Sequence, residues 1–186
     1  MSSSTRLPPI ADAAMTPEQL RVATDLRNGP RRGLPGPFHA LLRRPVLAER
    51  VRLLGDYVRF ESALEPALRE LAIMLVARHW CADYEWQAHR RLGREAGLDP
   101  SIADAIEARR RPAGLTPDQE LVYEVVHGLL AEKDIPDPIY AAAVARFGEG
   151  GLVDLVCTAG YYGFVSMILN TVRMPPPEGT GRLPRP

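Results

Sequence analysis

The chain has 186 residues, enough for one domain with a substantial core, and its 23 acidic and 23 basic side chains balance. No net field therefore draws it to nucleic acid or to an anionic membrane surface. Two cysteines, Cys81 and Cys157, make neither a disulfide framework nor a zinc-type pair, and the start "MSSSTRLPPI" lacks the apolar run of a secretion signal. With no stretch reaching about 20 apolar residues, the expectation is a cytoplasmic protein with reduced thiols.

Residues 1–14 carry little periodicity and read as a flexible N-terminal arm. Thr16-Pro17-Glu18-Gln19 is a helix start: a capping hydroxyl, proline at the first helical position, and Gln19 three residues on. Gly29-Pro30 stops that helix, and the loop "RRGLPGPF" follows. From Val46 to Phe60 apolar residues recur at helical spacing. Pro66 opens the next helix, whose apolar set includes Leu68, Leu71, Ile73, Leu75 and Val76. A further helix containing His89 ends at Gly97, a natural C-terminal glycine. A short helix runs from Pro100 to about Arg110.

Thr116-Pro117-Asp118-Gln119 repeats the first start signal and opens a helix to about Lys133. Pro138 to Phe147 is another. Residues 151–172, "GLVDLVCTAGYYGFVSMILNTV", are apolar nearly all round, the mark of a buried helix or an oligomer interface. The ending "RMPPPEGTGRLPRP" reads as disordered. The chain is thus expected to be all-α, with about seven helices in a domain over 15–174 and a disordered Pro-rich tail at 175–186.

The segment "ARHWCADYEWQAHRRLG", residues 77–93, concentrates polar and aromatic residues. Glu85 and His89 are four apart and share a helix face. A carboxylate beside an imidazole orients the ring and favours its charged form, as acid–base chemistry near neutral pH needs. The same spacing is common on solvated helix surfaces. Glu70 interrupts the core-facing run "ALRELAIML", where an unpartnered carboxylate would be costly. On one straight helix Glu70 and His89 would lie roughly 28 Å apart. They can share a site only if the chain breaks near residues 79–83, with Asp83 as cap of the second helix and acids in its first turn.

Glu70, "ARHW", "YEW" and His89 together resemble the carboxymuconolactone decarboxylase family, which includes the alkylhydroperoxidase D-like (AhpD-like) proteins. The similarity runs from about Leu20 through Val172 and takes in the "GLPGPF" loop. It implies an AhpD-like helical bundle that forms homo-oligomers, as trimers or hexamers, with a pocket near subunit contacts. The peroxidase branch of the family carries Glu, then Cys-x-x-Cys-x-x-x-His. Aligning its histidine with His89 matches Glu70 but puts Ala82 and Glu85 at the two cysteine positions. Cys81 is one residue out of register, about 100° around a helix. The decarboxylase branch, in which Glu and His run the proton transfer, resembles the chain better.

That resemblance implies a lyase of the kind used in aromatic compound catabolism, acting without metal or organic cofactor on a small carboxylated lactone or unsaturated acid. His89 would be the general acid that protonates carbon, Glu70 would orient it, and Glu85 would be the second carboxylate. Arg78, Tyr84, Trp86 and His39 are candidate substrate-binding residues, although Arg78 also suits a solvated face and His39 a loop. Cys157 reads as core. Two alternatives stay open: a thiol-dependent, alkylhydroperoxidase-like antioxidant activity through Cys81, and a helical oligomer that binds a small molecule without turnover.

Overall fold

A computed structural model describes residues 5–185, so the first four residues of the expected arm and the last residue of the expected tail lie outside it. Among the described residues there are eight α-helices and no strand. They are α1 (Pro17–Asn28), α2 (Gly36–Leu41), α3 (Pro45–Asp56), α4 (Pro66–His79), α5 (Asp83–Glu95), α6 (Pro100–Glu107), α7 (Pro117–Ala131) and α8 (Asp137–Val172). Both predicted capping boxes form. Thr16 and Thr116 each accept a hydrogen bond from the backbone N–H three residues on, and Gln19 and Gln119 reach back to the cap.

Helix α4 is the axis of the fold. It packs against α5, α6, α7 and α8, and residues 70 to 78 are all buried. A helix enclosed on every side must be apolar all round, which is why its few polar members, Glu70 and Arg78, each need a specific partner. Helix α8 completes the core from the other end of the chain. It runs 36 residues but breaks at Gly148, whose backbone adopts φ 72°. That left-handed geometry favours glycine, and it separates the two helices expected from the sequence. By length and composition α8 could cross a bilayer, which the expectation of no such stretch did not anticipate. Half of its most apolar stretch is nevertheless buried in the bundle, as in a core helix.

The break between α4 and α5 falls where the sequence places it. Trp80 to Ala82 make the turn, with Cys81 in the left-handed region at φ 48°. Ala82, not Asp83, occupies the cap position. Asp83 is the first helical residue, and its buried carboxylate accepts hydrogen bonds from the backbone N–H of Leu183 (2.9 Å) and from Arg185 (2.8 Å). The tail expected to be disordered is therefore anchored through residue 185: Gln87 donates to the Gly181 carbonyl, and Leu183 is buried. Composition alone hides this, because a Pro/Gly-rich segment with one apolar anchor resembles a free tail until a buried carboxylate supplies its partner. The apolar face of α8 is only partly buried. Cys157, expected in the core, is exposed, as are Val153, Val156 and Met167.

Candidate active site

The α4–α5 hairpin brings Glu70, Glu85 and His89 together. His89 is 2% exposed, Glu70 4% and Glu85 5%. The imidazole lies between the two carboxylates, with Nδ1 2.5 Å from Glu70 Oε2 and Nε2 3.0 Å from Glu85 Oε2. Glu85 and His89 meet because they are one turn apart on α5, whereas Glu70 comes from the antiparallel α4. Gly93 lets the two helices approach, since a Cβ there would sit 3.0 Å from Leu98 and 3.6 Å from the Glu70 Cβ.

Two carboxylates on one buried ring fix its charge. Burial opposes the charged imidazole, but the charge of Glu70 and its hydrogen bond, with those of Glu85, outweigh it and raise the pKa of His89 above the ordinary histidine value. Burial likewise pushes Glu70 up, and the His89 cation, with Arg59 and Arg69 farther off, holds it below the usual carboxylate range. The charged form of the imidazole is thus favoured, with Nδ1 hydrogen-bonded to Glu70 and Nε2 ion-paired with Glu85. Arg59 stands nearby as a further cation and helps hold Glu70 down.

Glu85 and the His89 ring line a cavity of about 310 Å³. Glu70 does not reach it and acts from behind the ring. The rest of the wall comes from regions far apart in sequence: Arg31 and Pro35 from the first loop, Arg59 and Phe60, and Tyr161, Tyr162 and Val165 of α8. Tyr162 packs edge-on against His89, with ring centroids 4.8 Å apart, and burial raises its phenol far above the ordinary value. Tyr161 is raised for the same first reason. These phenols stay protonated and offer O–H donors.

Arg59 sits in a widened π-type turn, Tyr57–Glu61, that continues α3. Such turns are rare and gather at functional sites. Buried Asp154 of α8 fixes this one by accepting from the Tyr57 hydroxyl (2.8 Å) and the Ala63 backbone N–H (2.8 Å). Arg31 is positioned by Asp56, at 2.8 Å, and Arg52 holds the other oxygen of that carboxylate. Tyr84 reaches across to the "GLPGPF" loop, where its hydroxyl accepts from the Gly36 backbone N–H at 3.1 Å. A Cβ on Gly36 would lie 2.8 Å from the tyrosine ring, so the contact requires glycine.

Of the expected substrate-binding residues, only Tyr84 lines this cavity. Trp86 is fully buried in the core, its Nε1 unpartnered, because α5 turns that face toward the bundle. His39 is half-buried on α2, outside the cavity wall, and Arg78 lies at the far end of α4 against a different cavity. The cations that face Glu85 and His89 are instead Arg31, Arg59 and Arg91. Sequence reasoning missed Arg31 and Arg59, while Tyr161 and Tyr162, in a stretch that reads as buried core, are both buried and part of the cavity wall. The signal available for Arg31 was its place in the Gly/Pro-rich loop; Arg59 had none, since an arginine at helical spacing reads as surface. Cys81 is also away from this cavity. Its sulfur accepts from Arg78 (3.1 Å) and Arg109 (3.3 Å), with no second thiol beside it, as Cys157 is exposed on α8.

The sequence matches no protein-family model and no curated protein. The fold does match solved structures. One is an uncharacterized peroxidase-related protein from Ralstonia eutropha JMP134, described as an alkylhydroperoxidase AhpD core. Its TM-score is 0.78 at 18% identity, covering 96% of this chain and 95% of that one. A second uncharacterized peroxidase-related protein, from Silicibacter sp. TM1040, gives a TM-score of 0.76 at 16% identity, with 98% and 97% covered. A protein of unknown function from Agrobacterium tumefaciens gives 0.66 at 17% identity, with 74% and 95% covered. At these identities the likeness shows the fold: the chain is an all-α, AhpD-like bundle.

Proposed function

We propose that the protein is a decarboxylase-like lyase that moves protons with its own side chains on a small, unsaturated carboxylated substrate such as a lactone acid. The observation that carries this reading is the buried His89, held between two carboxylates, beside a cavity that one of them, Glu85, lines. The resemblance of "ARHW", "YEW" and Glu70 to the carboxymuconolactone decarboxylase pattern points the same way.

Both ring nitrogens lie against carboxylates, at 2.5 and 3.0 Å, and the carboxylate beside Nε2 lines the cavity. The direct protonation expected from the sequence therefore passes to Glu85. His89 gives its Nε2 proton to Glu85, becoming neutral while Glu70 keeps the remaining proton on Nδ1. The C–C bond to the substrate carboxylate breaks, CO2 leaves, and the electron pair moves into the conjugated system. Glu85 then delivers the proton to carbon, and solvent returns one to the triad. The sum is one carboxylate and one proton converted to CO2 and a C–H bond. Glu85 is the catalytic acid, and His89 and Glu70 are the positioning and charging groups behind it.

Arg59 and Arg31 serve best on the carbonyl oxygen that gathers charge as CO2 departs. A clamp on the leaving carboxylate would stabilise the ground state and slow the reaction. The Tyr161 and Tyr162 hydroxyls are suited to the same oxygen.

The test is CO2 release from a panel of carboxylated lactones and unsaturated acids. Wild-type protein should turn over at least one member, and Glu85→Gln should abolish it while leaving the substrate bound. Turnover that survives Glu85→Gln would end the mechanism. We also propose that the chain forms a homo-oligomer. Val46, Leu47, Leu53 and Leu54 of α3 and Val153, Val156 and Met167 of α8 leave apolar surface exposed. Light scattering should return a mass well above 20.5 kDa; a monomer at micromolar concentration would refute it.

A further inference from the structure

A second cavity, of about 320 Å³, lies between the C-terminal end of α4, the end of α6 and the outer part of α7. Arg78, His79, Arg109, Arg110 and His127 line it, and no carboxylate does. Its floor is apolar, made by Leu75, Ile106 and Leu130.

The arginines there lack a full counter-charge. Arg78 is 5% exposed; its Nε donates to the Glu107 carbonyl at 2.8 Å and its Nη1 to Cys81 Sγ. Among the described residues its Nη2 makes no hydrogen bond. Arg109 spends one N–H on the same sulfur. Two guanidiniums thus converge on one weak acceptor. The C-terminal dipoles of α4 and α6 offset part of their charge, but nearby acids are engaged elsewhere. Glu107 binds Arg90 at 2.6 Å, and Glu120 and Glu124 bind Arg111. The cavity's surplus shows at His79, whose pKa is lowered by burial first and then by Arg109, Lys133 and His127.

We infer that this cavity is a second binding site, for a small molecule with an oxyanion head and a short apolar body. The head, a carboxylate or a phosphate, would sit between Arg78 and Arg109, and the body would lie on Leu75, Ile106 and Leu130. The site is separate from the Glu85 cavity and does not depend on the reaction proposed there.

Calorimetric titration with hexanoate and with hexyl phosphate tests it on the whole protein. Saturable binding of either probe is expected, and the tighter one identifies the preferred head. Arg109→Gln, at an exposed position that should leave the fold intact, is expected to weaken binding about tenfold or more, as loss of a charge-assisted contact would. Arg59→Gln, in the other cavity, should leave it within about twofold. Three results would overturn the inference: no saturable binding of either probe up to about 10 mM, binding indifferent to Arg109→Gln, or binding lost with Arg59→Gln instead.

Discussion

The two ends of the α4–α5 hairpin solve the problem of buried charge in opposite ways. At the open end, Glu70, His89 and Glu85 form a matched set in which each charge is satisfied by its neighbours at 2.5 and 3.0 Å. At the turn, Arg78 and Arg109 share a cysteine sulfur, with no carboxylate on the cavity wall. A satisfied set can hold a proton in readiness for transfer. An unsatisfied one is short of an anion. Two cavities of similar volume, one against α5 and the other against α4, are thus suited to different tasks, and what separates them is charge balance.

That contrast can be broken most sharply at the ring. Replacing His89 by Gln keeps the volume and removes the titrating proton, so turnover on a verified substrate should fall by about 10²- to 10⁴-fold, the usual worth of acid–base catalysis. Retained turnover, measured as CO2 release, would show that the matched charges serve packing only.

Glu70→Ala attacks the same set as a structural unit. It leaves a buried imidazolium short of its main partner and should cost about 3–5 kcal/mol in a urea unfolding titration. Arg109→Gln, at an exposed position of the unmatched cavity, should change stability by no more than about 0.5 kcal/mol. Equal losses would erase the distinction between the two ends.

The matched set also predicts a pH signature. The pKa of His89 is raised on folding, so its stabilisation is complete below 6.5 and is lost as pH climbs through the elevated value. Glu70 is lowered, so its share is complete above 4.5 and is lost as pH falls through the depressed value. Thermal midpoints should therefore form a plateau between those limits and decline on both sides. In His89→Gln the alkaline decline should shrink. An unchanged alkaline limb would mean that the imidazole is not held charged.

The smallest effect is expected at the sulfur. Cys81→Ala should leave CO2 release within about twofold of wild type, as for a side chain outside the reacting cavity. A large loss would favour thiol chemistry and move the functional centre to the turn.

Much of the helical framework was legible in the chain because it rests on local chemistry. The two Thr-Pro-x-Gln starts, the proline at the head of α4 and the glycine after α5 act within one turn, so their neighbours in sequence are their neighbours in space. The break at residues 79–83 was the condition on which Glu70 and His89 could share a site, and the structure has both the turn and the contact. The left-handed Cys81 and the break at Gly148 finish what those signals began.

The cavity wall was decided by tertiary packing. Arg59 depends on a π-type turn pinned by Asp154 nearly one hundred residues later, and Arg31 depends on Asp56. No local pattern encodes either distance. Arg78 was misplaced for the same reason: helical spacing tells which residues share a face, but only the surrounding helices decide which cavity that face meets. The tail, too, took its order from the buried Asp83 carboxylate. Sequence alone determined where helices start, stop and turn back, since those are short-range energies. Which polar groups are enclosed together, and which are left uncompensated, was fixed only when distant segments closed over α4.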